Sequence, residues 1–267
     1  MKRLSISPQA RLSFLYAVPI GLLGGLMGLG GAEFRLPVLA GPLGYPARQA
    51  TPLNLAVSLA TIVTAVIVRG RTLSLAPVTA AWPVIAAMIA GAVTSAFWGA
   101  GAARRASNEQ LERVILVLLV GIGGVLMGEA FLPQDVGGLL PETAAVQAVA
   151  GVGFGLTIGL VSSMLGVAGG ELIIPTLVLA FGLGVKAAGT ASLVISLPTV
   201  LVGLARYARH GALDDRAALK EVVLPMSIGS VLGAGTGGLL VGLVPAAALK
   251  FVLGAVLIVS AVRIFRH

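Results

Sequence analysis

Long apolar runs alternate with short polar breaks along the chain. Eight apolar blocks stand out, roughly residues 12–44, 47–68, 76–99, 110–128, 144–184, 187–205, 219–241 and 246–265. Several run about 20 residues with almost no charge, which is enough to cross a bilayer as a helix. The first and fifth blocks are too long for one crossing, and each carries Gly and Pro in its middle. The pattern predicts an all-α polytopic membrane protein.

Composition agrees. Apolar residues make up 57% of the 267 and charged ones only 10%, with a mean hydropathy of +1.03. A soluble domain carries roughly 25% charged residues, and no soluble core could absorb this much apolar surface. There is no Cys, which excludes disulfides, thiolate metal sites and iron–sulfur clusters. Two His, at 210 and 267, are too few for a His-rich metal site or a Ser/His/Asp triad. No phosphate-binding G-x-x-x-x-G-K-[ST] loop is present. The excess of 18 Lys and Arg over 10 Asp and Glu reads as cytoplasmic loop charge rather than a nucleic-acid footprint. Lys2 and Arg3 precede an apolar stretch as in a signal peptide, but Arg11 falls late and no small-residue cleavage site follows, so a retained span is expected.

The sequence also repeats itself. At an offset of 138, residues 21–71 align with 159–209 without a gap, with 14 identities in 51 positions. Chance in so biased a composition gives about five. The alignment resumes at Pro83/Pro225 and Gly91/Gly233, then at Leu111/Leu249 and Val114/Val252. Two homologous halves are expected, 1–138 and 139–267, each of four blocks.

The best-matched stretch is GLGGAEFRLP, Gly28 to Pro37, against GVAGGELIIP, Gly166 to Pro175. Of ten acidic residues, only Glu33 and Glu171 lie deep in apolar sequence, at equivalent positions. An ionisable residue at the bilayer centre costs about 2.5–3.5 kcal/mol on insertion scales. Two roles fit: a proton-titrating pair at the repeat interface, or carboxylates accepting hydrogen bonds from N–H groups freed by a broken helix. Gly28, Gly30, Gly31, Gly166, Gly169 and Gly170 suit a binding turn at membrane depth, or close helix packing. Arg35, opposite Ile173 in the second half, suits bidentate contact with an oxyanion. It equally suits a snorkelling side chain or a partner for a carboxylate on another helix.

Asn54 and Ser58 share one helical face, as do their equivalents Ser192 and Ser196. With Thr51 and Thr190 beside them they could line a polar anion site or bond between helices. The run from Arg206 to Arg216 reads as a solvated loop, with His210 an ordinary loop residue.

The two Gly-rich stretches resemble the G-x-G-G-G-x-x-x-x-P signature of the TauE/SafE family of membrane permeases, the sulfite exporter family. The similarity covers nearly the whole chain, including its length, its two halves and the A-T-P-L-N and A-G-T-A-S segments that open the next helix. Ala32 and Ala168 depart from the pattern by one methyl each. The resemblance implies a permease or exporter of a small sulfur-containing anion such as sulfite or an organosulfonate, with proton coupling as an option. It implies no enzymatic activity. A passive anion channel is the alternative. No cofactor or metal is expected; the partners expected are the anion and membrane lipids, without nucleic acid, and homo-oligomers are compatible.

Orientation follows from charge. If the chain turns back near Gly28–Glu33, each half has an odd number of crossings and the halves are inverted. With the N-terminus inside, that arrangement puts 13 Lys and Arg on the cytoplasmic side and 4 outside: Arg69, Arg71, Lys186 and Lys250. A single crossing gives 11 against 6. The positive-inside rule favours inverted repeats in the inner membrane, both termini cytoplasmic and the 129–143 linker outside.

Overall fold

The computed structural model describes residues 7–102, 124, 137–165 and 167–264. The block at 110–128 apart from Gly124, much of the 129–143 linker and Gly166 lie outside the described residues. The described chain is helical, without strands.

Helix α1 (Pro8–Met27) opens with Pro8 in its first turn and a Ser7 cap that accepts the Ala10 N–H at 3.2 Å. Both features suit a helix start. It stops at Gly28, whose φ of 86° is left-handed. A short α2 (Ala32–Ala40) follows, so the first long block is two helices. Then come α3 (Ala47–Thr72), a single turn α4 (Ala76–Ala80) and α5 (Trp82–Ala102). The second half has α6 (Ala144–Leu165), α7 (Gly170–Ala180), α8 (Val185–Arg209), α9 (Arg216–Leu240) and α10 (Ala246–Ile264). Helices α1, α3, α6, α8 and α9 are long and apolar enough to cross a membrane.

Burial differs from that of a soluble protein at both the surface and the interior. Leu15, Ile67, Phe97, Leu224, Ile228 and Leu232 are exposed, while Arg35, Asn54, Ser58, Thr61, Arg69, Ser192 and Ser230 are fully buried. Apolar side chains meet lipid, and polar ones find partners inside the bundle. Helices α1 and α9 run parallel: Gly21 lies on Ser230 and Gly25 on Ala234, with no room for a Cβ. Helices α6 and α5 repeat this arrangement, Gly155 on Met88 and Gly159 on Ala92. Small residues let these backbones touch. The pairs Gly21–Ser230 and Gly159–Ala92 keep the 138 spacing. In three dimensions α5 and α9 therefore match one turn away from the register that Pro83 and Pro225 suggest. Helix packing fixes which small residue faces its neighbour; chance identities in a Gly-rich sequence do not.

Helices α3 and α8, which occupy equivalent places in the two halves, run antiparallel. Arg69, near the end of α3, meets Lys186 at the start of α8, whereas Leu55 near the start of α3 meets Gly203 near the end of α8.

Candidate functional site

Each half breaks its helix at the same point of the repeat. After α1 the N–H groups of Gly28 and Leu29 both return to the Gly24 carbonyl, at 2.8 and 3.2 Å. Gly28, Gly30 and Gly31 all take positive φ, a conformation that carries little cost only in glycine. The chain then folds back: a Cβ on Gly31 would stand 2.9 Å from the Ile20 side chain, well before the end of α1. In the second half a Cβ on Gly169 (φ 77°) would stand 3.1 Å from Ile158. Ile158 and Gly169 are Ile20 and Gly31 moved by 138, so the chain reverses at the same place in both halves, although Ala168, the counterpart of Gly30, does not share its positive φ.

The turns abut across the repeat boundary. A Cβ on Gly170 would lie 2.9 Å from the Leu29 carbonyl oxygen and 3.2 Å from the Ser192 hydroxyl, and one on Gly30 would lie 3.5 Å from the Ala168 methyl. Gly28 has its α-carbon against the backbone of Gly189. Ile62 on α3 and Ser196 on α8 flank this junction near the middle of their helices.

Helices α2 and α7 begin at the junction and carry Glu33 and Glu171 in their first turns. Glu171 is buried, and Oε1 of Glu33 is a buried atom without a hydrogen-bond partner among the described residues. The Ser192 hydroxyl shares that condition. Ser196 donates to the Ala168 carbonyl at 2.8 Å and so holds the second turn against α8.

Arg35 is fully buried, which removes the snorkelling role. One terminal nitrogen donates to Asn54 Oδ1 (3.2 Å) and Ser58 Oγ (2.8 Å). The other reaches Thr61 Oγ1 (3.1 Å), Ser230 Oγ (3.3 Å) and the Gly30 carbonyl (3.4 Å). Asn54 in turn donates to the Ala32 carbonyl at 3.0 Å. The guanidinium thus joins α2, the first turn, α3 and α9 through neutral partners, and no ion pair with a described residue neutralises it. Its Nε alone stays without an acceptor.

Thr190 does not join this group. It accepts from Nε of Arg69 at 3.0 Å. Arg69 is fully buried, not in an exterior loop as hydropathy suggests, because α3 continues through it to Thr72 and its stem points inward. It also donates to the carbonyls of Gly25 and Leu26 (both 3.0 Å) and Lys186 (2.7 Å).

On the other side of the junction lies a cavity of about 390 Å³, bordered by Leu55, Ser162, Val167, Thr199, Arg206, Tyr207 and His210. Arg206 to Arg209, expected from the sequence to open a solvated loop, instead form the last turn of α8. Thr61 and Thr199 did carry a signal, as one of the identities between the halves.

A helical membrane bundle with paired broken helices and buried polar groups at mid-depth is the architecture of a membrane transporter. The sequence matches the family described as sulfite exporter TauE/SafE over residues 12–264, and the chain belongs to that family. The chain matches no curated protein and no solved structure.

Proposed function

We propose that the protein is a secondary carrier of a small sulfur-containing anion such as sulfite or an organosulfonate, with its site where the two Gly-rich turns meet. The observation that carries this reading is the junction itself. Helices α2 and α7 both start there, and helix starts present free N–H groups and a positive dipole end to an anion. Ser192 and the backbone of Gly30, Gly31, Gly169 and Gly170 supply a polar lining, and Arg35 contributes a positive charge one layer back, hydrogen-bonded only to neutral groups. We infer inverted repeats as well. The antiparallel packing of α3 and α8 supports them, as does the reversal at each turn. Glu33 and Glu171 are the residues through which a proton would be coupled, since two carboxylates in one dry junction repel strongly unless one carries a proton.

Flux into proteoliposomes tests the reading. Saturable uptake of sulfite or an organosulfonate, with competition between them, is expected; flux rising linearly without competition would make the protein a channel. Glu33→Gln together with Glu171→Gln should make the flux insensitive to a pH gradient. Of the single variants Glu33→Gln should act more strongly, because only its half contains Arg35. A double variant that still responds normally to pH would remove both carboxylates from the mechanism.

A further inference from the structure

The repeat gives every residue of the cavity an equivalent, and the two sets are not in the same state. Ser162, Val167, Thr199, Gly203 and Tyr207 border open space. Moved by 138, they become Gly24, Leu29, Thr61, Ala65 and Arg69. Ser162, Val167 and Thr199 are buried like their counterparts, but Gly203 and Tyr207 are partly exposed whereas Ala65 and Arg69 have no exposed surface at all. One passage to the junction is open and its counterpart is sealed.

The seal is a charged one. Arg69 stands where Tyr207 stands in the open half. Gly25 and Leu26 belong to the last turn of α1, whose carbonyls have no helical partner, and a guanidinium satisfies two of them at once. Its remaining bonds go to Lys186 and Thr190 on α8, in the other repeat. The same nitrogen that reaches Lys186 would stand 2.9 Å from a Cβ on Gly189, and Gly189 lies against Gly28 of the first turn. Arg69 therefore covers the junction from the end opposite the cavity, and every bond it makes crosses between helices.

We propose that the cavity beside Val167 is the vestibule through which an anion reaches the paired turns, and that Arg69 is the latch closing the equivalent passage on the opposite face. Arg206 sits at the mouth of the vestibule, over the Phe97 ring at 5.9 Å and donating to the Phe97 carbonyl, with His210 one turn further on. A cationic mouth suits a small oxyanion. Opening the sealed face requires Arg69 to release α8. This inference rests on the carrier reading for the identity of the anion, but not for the asymmetry of access.

Single cysteines in this Cys-free chain test it with a membrane-impermeant maleimide, added to one face of the membrane or to the other. Gly203→Cys should react only from the face where His210 lies, and Ala65→Cys from neither. Adding Arg69→Met should raise the reactivity of Ala65→Cys about tenfold from the opposite face, as the sealed state loses population. Thr190→Val, which removes one of the four partners, should give a smaller rise and serves if Arg69→Met does not fold. Ala65→Cys that is open in the parent, or unmoved by these variants, overturns the latch. Labelling as expected without transport of any sulfur anion would leave the vestibule and latch standing and remove the proposed substrate.

Discussion

The two broken helices reverse at matching places and differ in charge. Around the first turn a buried guanidinium gathers Asn54, Ser58, Thr61 and Ser230; around the second, Ile173 stands in its place, fully buried among apolar neighbours. The second turn relies on one neutral bond, from Ser196 to the Ala168 carbonyl, and on a contact between the Ser162 hydroxyl and the Val167 carbonyl. The backbone reversal thus needs only small residues and a carbonyl or two tied down. The arginine adds something else. It cross-links four segments and leaves a positive charge near the junction, making the first half the stiffer and more electropositive of two copies of one motif.

The turns themselves set the largest effect. Gly28→Ala would place a methyl against the Gly189 backbone in a left-handed conformation. Strain of about 1–2 kcal/mol and overpacking of about 1–3 kcal/mol add, so loss of the folded protein in detergent is expected. Gly44→Ala is the control, with φ 70° but open space around it. It should cost only the strain, about 1–2 kcal/mol. Equal effects in a thermal melt would mean that contact between the halves at Gly28 contributes nothing.

Arg35 comes next. Arg35→Ile makes the first turn resemble the second, but strands the Asn54, Ser58, Thr61 and Ser230 oxygens that the guanidinium now satisfies. Hydrogen bonds to a charged group contribute about 1.5–3 kcal/mol each, less when shared, so a loss of about 2–4 kcal/mol is expected. Adding Asn54→Ser, the second-half residue, should restore part of it. A double variant no better than the single would show that the second half's solution does not transfer. Sulfite binding should weaken in both variants, because the positive charge is gone; unchanged affinity would make Arg35 purely structural.

Much of this was legible before any coordinates. Apolar run length predicts the helices, the Gly clusters mark both reversals, and the spacing of Asn54 and Ser58 predicts a shared face, which Arg35 does meet. Thr61 lies one turn further along that face and was legible too, had the spacing been carried on. Ser230 was not, since 195 residues separate it from Arg35 and only the parallel packing of α1 and α9 brings them together. Arg69 was hidden for another reason. An arginine at the end of an apolar run looks alike whether its stem points to water or inward, and three of its four partners are backbone carbonyls, which leave no mark in a sequence. The vestibule was hidden similarly, because a cavity is a difference in packing between two halves built on one pattern.

The smallest effect separates the arginine from the turn it serves. Ser58 accepts from Arg35 at 2.8 Å and donates to the Asn54 carbonyl at 2.8 Å, whereas its equivalent Ser196 donates directly to the second turn. Ser58→Ala removes one acceptor of a buried cation, but Asn54, Thr61, Gly30 and Ser230 still hold the group. Ser196→Ala leaves the Ala168 carbonyl without its hydroxyl donor, a neutral loss of about 1 kcal/mol. If the charge strengthens its bonds, Ser58→Ala should cost about 1.5–2 kcal/mol, slightly more than Ser196→Ala. The excess should vanish in an Arg35→Ile background, where Ser58 has no cation to hold. A double-mutant cycle on thermal stability reads that coupling directly. A coupling of zero would mean that the guanidinium is indifferent to this hydroxyl, and the first turn would then be held, like the second, by its backbone contacts alone.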